Sequence, residues 1–418
     1  MRQNLDSQGE TLAPSRGWLK TFDSLRIRNF RWYWYGMLAA FVAMQMQVLA
    51  QGWLVYALSE SALALGLVSA AWGIPVLILS LFGGVVTDRV EKRNLLIITQ
   101  GIVGAITIAV TILIATGLVQ VWHMFVASFL SGSTMAFAMP GRQAIIPELV
   151  GPKELMNAIG LNSSAMNVCR IGAPALAGVL IGLIGITGVY IIILLCCLLA
   201  IGAFSMIPVA GTVALRPNTP MRHDLLAGLG YIRHSPTILS LLAMSFLIVI
   251  FGMPYTTMMP VFTVEVFRTG ATGLGILMSV TGVGALAGSL FIAYLGDYNR
   301  KGLLLAGTAV LFGVSIIFFA LAGSFYLSLV FLLFAGAGGT GCMAINNTLV
   351  QTNVTHEVRG RVMSVYMMTW GLMPLGTLPT SWTAEALGAP LAVAAGGSLL
   401  TLFSLGLALA YPKLRHLE

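Results

Sequence analysis

Charge is what this sequence has least of. Only 9% of its 418 residues are charged, against about 25% in a soluble domain. A soluble chain that is 58% hydrophobic would have too few polar groups to cover its surface. Acids are scarcer than bases, 14 against 22. The resulting net charge of +8 does not point to nucleic acid, because the bases are spread along the chain at the ends of apolar stretches. Cysteine is scarce too. Cys169, Cys196, Cys197 and Cys342 all fall within apolar stretches, which excludes a disulfide framework and gives no metal-ligand spacing. A G-x-x-x-x-G-K-[ST] loop is missing, so direct use of ATP is not expected. No Ser/His/Asp or metal constellation suggests an enzyme, and no soluble output domain suggests a sensor. No cofactor is implied. Some thirty residues precede the first apolar stretch, which does not resemble a cleavable signal peptide.

What the chain has in abundance is apolar runs of about 20 residues, each long enough to cross a ~30 Å hydrocarbon core. The expected fold is an all-α membrane protein of about twelve transmembrane helices. They are predicted near Trp32–Tyr56, Leu63–Val86, Leu95–Leu118, Trp122–Pro140, Asn157–Ile184 and Val189–Ile207, then Ile238–Phe262, Thr272–Leu295, Gly302–Ala322, Phe325–Leu349, Val362–Ala384 and Pro390–Tyr411. The loops then alternate sides. One side collects nearly all the Lys and Arg outside the spans, from Arg2 to Arg415, and the other holds only Arg268. The positive-inside rule places both termini in the cytoplasm.

The domains expected are an N-terminal arm over 1–30, a six-helix half over 31–208, a linker over 209–237, a second half over 238–411 and a tail over 412–418. In the arm, Trp18, Phe22 and Leu25 share one helical stripe, which reads as an interfacial helix. The linker carries Pro217, Pro220 and Pro236 and a short amphipathic piece with Leu225, Leu226, Leu229 and Ile232 on one side. It is either an interfacial helix or a plain tether. A shift of 209 residues aligns the two halves. Leu65-Gly66 falls on Leu274-Gly275, Gly73 on Gly282, Asp88 on Asp297, Lys92 on Lys301 and Glu148 on Glu357. Two pseudo-symmetric six-helix halves follow.

Between the second and third spans stands GGVVTDRVEKRNLL, residues 83–96. Lys92 and Arg93 act as topology determinants, but acids contribute little to topology, so Asp88 and its counterpart Asp297 need another reason. Gly84-Val-Val-Thr-Asp88-Arg89-Val-Glu-Lys-Arg93 resembles the loop-2/3 signature of the major facilitator superfamily, with Glu91 where Gly is usual. Arg142-Gln-Ala-Ile-Ile-Pro147-Glu148, Asn157-Ala158, Asn162-Ser163, Arg170-Ile-Gly-Ala-Pro174 and Val358-Arg-Gly-Arg resemble its drug and siderophore exporters, the branch of enterobactin and macrolide efflux proteins. The resemblance implies the major facilitator fold and a cytoplasmic latch formed by Gly84, Asp88, Arg89 and Arg93, with Arg142 and Asp297 beside it. It implies proton antiport as the default energy source. The fifth-helix antiporter motif is imperfect, with Ala173-Pro174 in place of Gly-Pro.

Charges inside spans are the sharpest functional signal in a membrane protein. Arg170 is the one base predicted mid-span, with Asn167 on its face, and no acid is predicted there. Arg170 is either a cation facing a substrate cavity or a structural arginine bonded within the bundle. Gln47 and Gln51 on helix one, Tyr255 on helix seven, Asn346 and Asn347 on helix ten, and Tyr366 and Trp370 on helix eleven are candidate cavity residues. Each has interhelical bonding or packing as its alternative. Met44, Met46, Met253, Met258, Met259, Met367, Met368 and Met373 fall in the same helices and tilt the reading toward an amphipathic substrate. The expected protein is a monomeric exporter of a drug, siderophore or lipid-like molecule in the bacterial inner membrane. An uncoupled facilitator or importer of the same fold is the alternative.

Overall fold

The computed structural model describes residues 23–208, 230–295, 298, 300–355 and 358–411, without the side chains of Leu81, Phe82, Gly84, Val85, Asp88, Arg361 and Ser364. The stripe at Trp18 and Phe22, most of the linker piece, Asp297 and the tail lie outside these residues. Apolar sequence makes helix the only economical backbone within a bilayer, since each N–H and C=O must be bonded internally. Among the described residues the elements are α1 (Arg28–Ser59), α2 (Ala62–Arg89), α3 (Lys92–Ala115), α4 (Val121–Leu149), α5 (Leu155–Ser205), α6 (Pro236–Val266), α7 (Gly270–Tyr294), α8 (Lys301–Leu321), α9 (Phe325–Thr352), α10 (Arg359–Met368), α11 (Met373–Leu387) and α12 (Ala389–Ala410).

Ten of these runs are long and apolar enough to span a bilayer, and two details bring the crossings to twelve. The 51 residues of α5 break at Gly185. Unbroken they would reach about 75 Å, more than twice the membrane. The second detail is a 3-10 turn, Thr369–Leu372, which joins α10 to α11 as one crossing. Gly185 has φ 72° and ψ 173°, a region essentially closed to any residue with a Cβ. Gly185→Ala is therefore expected to destabilise the fold by about 1–3 kcal/mol and to lower the midpoint of thermal unfolding. An unchanged midpoint would mean the kink is not needed.

α1 packs on α5, α2 on α4, and α3 on both α4 and α5; in the second half α9 packs on α7 and α8, and α8 on α12. The halves meet along two seams, α2 with α11 and α5 with α7. Both seams are lined by glycine. A Cβ on Gly66 would overlap Ser381, and one on Gly73 would lie 2.7 Å from Pro374 Cγ. The glycines at the 209-residue shift do the same on the other seam. A Cβ on Gly275 would lie 2.6 Å from the Pro174 carbonyl, and one on Gly282 3.0 Å from the Arg170 carbonyl. The internal repeat is thus visible in the packing.

Three intrahelical prolines share one device. Pro140, Pro174 and Pro254 lack the N–H that would bond the carbonyl four residues back, at Ala136, Arg170 and Ile250. In each case a glycine of a neighbouring helix sits against the freed carbonyl: Gly83, Gly282 and Gly376 respectively. Helix four therefore runs through Pro140 to Leu149, beyond the end predicted for it.

Candidate functional site

α6 is the most irregular helix. It contains two π turns, Ile248–Gly252 and Phe262–Val266, on either side of Pro254 and Pro260. Single π turns widen a helix locally and recur at functional sites. Beside the first of them lies a cleft lined by Ser245, Ile248, Val249, Met343, Asn346, Tyr366, Thr369 and Trp370. Its empty space, open mouth included, is about 220 Å³. Asn346 is fully buried. Its amide donates to the Leu241 carbonyl at 3.1 Å and to Ser245 Oγ at 2.5 Å, which ties α9 to α6. Its side-chain oxygen has no partner.

The structure brings Asn346, Tyr366 and Trp370 together in this cleft. Asn347 turns away and accepts from Gln351 at 2.9 Å. Tyr255 is buried among Phe312 and Phe319, edge-on at 5.9 and 6.3 Å. Met46, Met258 and Met259 are fully buried core residues, so packing accounts for them. Met367 is exposed.

On the first half, Arg170 is exposed and Asn167 half-buried. Arg170 lies within electrostatic reach of the Tyr255 hydroxyl, so its charge is felt across the seam. Gln47 and Gln51 are half-buried on α1. None of these four first-half side chains, including Arg170, makes a hydrogen bond or ion pair among the described residues.

The ends of the bundle differ. α1 begins at the face called proximal here and ends at the distal face. At the proximal face Lys92 pairs with Glu148, and Arg93 donates to the Ser205 carbonyl at 2.8 Å. Both contacts stay within the first half. Arg89 is exposed. Gly84 and Asp88 are described at the backbone alone, and Asp297 lies outside the described residues. Arg142 stands inside α4, where the sequence reading put it beyond the helix end. Tyr33 donates to its carbonyl at 2.8 Å.

At the distal face, four hydrogen bonds cross between the halves among the described residues. The Tyr56 hydroxyl donates to the Glu265 carboxylate. Glu385 accepts from the Ser61 hydroxyl at 3.0 Å and from the Leu63 N–H at 3.1 Å. Thr272 donates to the Gly178 carbonyl at 3.4 Å. Glu385 thus caps the N-terminus of a helix in the other half, where a negative charge is stabilised by orphan N–H groups. None of Tyr56, Glu265, Ser61 or Glu385 was singled out from the sequence. One signal was available: Tyr56 and Glu265 stand 209 residues apart, the shift that aligns the halves.

Residues 19–418 match the model of a family described as transmembrane secretion effector. The chain belongs to that family. It is a multi-pass membrane transporter of the major facilitator superfamily and not an enzyme. Among its relatives, the transporter is 27% identical over 346 residues to the staphyloferrin A transporter of Staphylococcus aureus, covering 80% of this chain and 84% of that one. Macrolide efflux protein A of Streptococcus pyogenes is 23% identical over 370 residues, 86% of this chain and 90% of that protein. The enterobactin exporter EntS of Citrobacter koseri is 25% identical over 340 residues, 78% of this chain and 76% of that protein. The fold also matches a crystal structure of a POT family transporter in complex with 5-aminolevulinic acid, with TM-score 0.76 and 11% identity over 93% of this chain and 96% of that one. The crystal structure of the nucleoside transporter NupG matches with TM-score 0.68 and 14% identity over 92% of this chain and 98% of that one. At these identities the two structures establish the fold alone.

Proposed function

We propose that this transporter exports an amphipathic small molecule across the bacterial inner membrane by alternating access, as a monomer, in exchange for protons. The reading is carried by the interface between the halves. Two glycine seams related by the internal repeat let the halves lie close without interlocking, and a few polar contacts hold the distal end. Such an interface can exist in two packings, which alternating access requires. Relatives named for efflux and export support the direction.

Among the described residues the proximal face carries Arg26, Arg28, Arg31, Arg89, Lys92, Arg93, Lys153, Arg233, Arg300, Lys301 and Arg359, and the distal face Arg268. That asymmetry supports a cytoplasmic proximal face with both termini on it. The two halves would be 31–208 and 238–411, joined by a cytoplasmic linker over 209–237. When the distal end opens, the loop-2/3 groups Asp88, Arg89 and Arg93, with Gly84 admitting a close neighbour and Asp297 as the second copy, would latch the cytoplasmic end. Asn346, Tyr366 and Trp370 line the second-half wall of the path. Gln47, Gln51, Asn167 and Arg170 supply the first-half wall, and Tyr255 and Asn347 support it by packing and bonding.

The test is transport by the purified protein in proteoliposomes holding a pH-sensitive dye. Amphipathic cations, anions and zwitterions are added in turn under a proton gradient. Substrate-dependent collapse of the gradient is expected, and Arg170→Ala should reduce it at least tenfold while thermal unfolding stays unchanged. Equilibration of labelled substrate without proton movement would replace antiport with facilitated diffusion.

A further inference from the structure

Among the described residues, Arg142 is the arginine with two enclosed donor nitrogens left unserved. Its Nε and Nη1 are cut off from solvent and have no hydrogen-bond partner among the described residues, and the residue as a whole is half-buried. The guanidinium carbon stands 5.6 Å from the centre of the Phe41 ring, a contact that stabilises a cation but satisfies none of its N–H groups. A guanidinium cannot shed its proton, and leaving its donors desolvated and unpaired is unfavourable. Two N–H groups held in this way call for an acceptor from outside the chain.

Arg170 stands at a similar level along α1. Arg142 sits over Phe41, and Cys169, next to Arg170, contacts the Leu38 carbonyl at 3.9 Å. Residues 38 and 41 are one turn apart, so α4 and α5 bring both arginines to the same level of α1. Among the described residues neither arginine is in an ion pair. The acids whose side chains are described stand elsewhere: Asp23, Glu91, Glu148 and Glu154 toward the proximal face, Glu60, Glu265 and Glu385 toward the distal face. This stretch of wall is a doubly cationic surface with no protein counter-charge among the described residues.

We propose that Arg142 and Arg170 together bind the acidic groups of the transported molecule, which is a diacid or higher polyacid and not a cationic or neutral amphiphile. Each guanidinium takes one carboxylate through charge-assisted hydrogen bonds. The apolar body of the ligand lies toward Trp370 and Tyr366 on the opposite wall. The assignment rests on the transport reading above and assigns Arg142 to the ligand instead of the latch.

The test measures equilibrium binding of straight-chain α,ω-dicarboxylates of four to ten carbons, with the matching monoacids, diamides and diamines, to the full-length protein in nanodiscs. Diacids of one length range should bind at least tenfold more tightly than the monoacid, and diamides and diamines should not compete. Arg170→Gln and Arg142→Gln should each weaken diacid binding at least tenfold. Because Arg142→Gln could disturb the fold, Arg142→Lys is the companion variant. It keeps the charge and should retain binding between wild type and Gln, with normal thermal unfolding. Equal binding of diamides or diamines, or undiminished diacid binding in Arg170→Gln and in the double variant Arg142→Lys, Arg170→Gln, would overturn the assignment. Proteoliposome transport separates the two readings. Diacids that bind but are never moved would sink the transport reading alone. A cation that is moved while diacids neither bind nor compete would sink this one alone.

Discussion

Removing the polar contacts at the distal end is expected to open it. The double variant Tyr56→Phe, Glu385→Ala deletes the bond from Tyr56 to Glu265 and removes the carboxylate that receives Ser61 and Leu63. Glu265 and Glu385 are exposed, so each bond contributes about 1 kcal/mol and not the larger value of a buried pair. Three such bonds amount to roughly 3 kcal/mol, which moves a two-state equilibrium on the order of a hundredfold. Spin labels at Leu58 and Leu387, exposed positions at the distal ends of α1 and α11, read the outcome as a shift toward longer distances. The single variant Tyr56→Phe should shift the population by a smaller amount in the same direction. A distance distribution indistinguishable from wild type would show that the glycine seams alone hold the end closed.

The second large effect separates packing between the halves from packing within them. A Cβ on Gly178 would lie 2.6 Å from the Ala271 carbonyl and 3.0 Å from Gly275 Cα. Both are backbone atoms of α7, so no side chain can move aside. Gly178→Leu must push α5 away from α7 at the distal end, and it is the only seam that must yield. The protein should fold with near-normal thermal stability, keep its distal end apart and lose transport at least tenfold. Gly284→Leu makes a similar clash, with the Leu333 carbonyl of α9, but inside one half. Overpacking of that kind destabilises by about 1–3 kcal/mol or more, and this variant should yield little folded protein. Equal loss of folded protein in both variants would show that the two halves do not move as separate bodies.

The spans and the repeat were legible because the bilayer imposes them. A run of about 20 apolar residues has few other fates, and charged residues matching at one shift mark a duplicated helix order. Asn346, Tyr366 and Trp370 were legible for a related reason, since polar and aromatic groups stand out within such runs. Other features depend on contacts that no local pattern records. Gly185-Ile-Thr-Gly188 read as a loop, but the chain stays helical on both sides of one left-handed residue. Pro140 read as a terminator, yet the freed carbonyl of Ala136 rests against Gly83 and α4 continues, carrying Arg142 inside. Glu265 lay past the predicted end of its helix, because a charge after an apolar run looks like a boundary. A π turn keeps it helical instead. Glu385 gave no signal of its own, since its partners belong to a helix more than three hundred residues away in sequence.

Tyr56 and Glu265 are each other's counterparts in the two repeats, and they touch. Two points exchanged by a half-turn can meet only close to the axis of that turn. Their bond therefore lies near the central line of the molecule, and a solute leaving along that line, as the proposed export requires, would meet it as a plug. When the halves swing apart, atoms on the axis travel least, so side-chain rotation at this pair must do what rigid-body motion does elsewhere. On the export route proposed above, the last obstacle would be a rotamer of one tyrosine against one carboxylate.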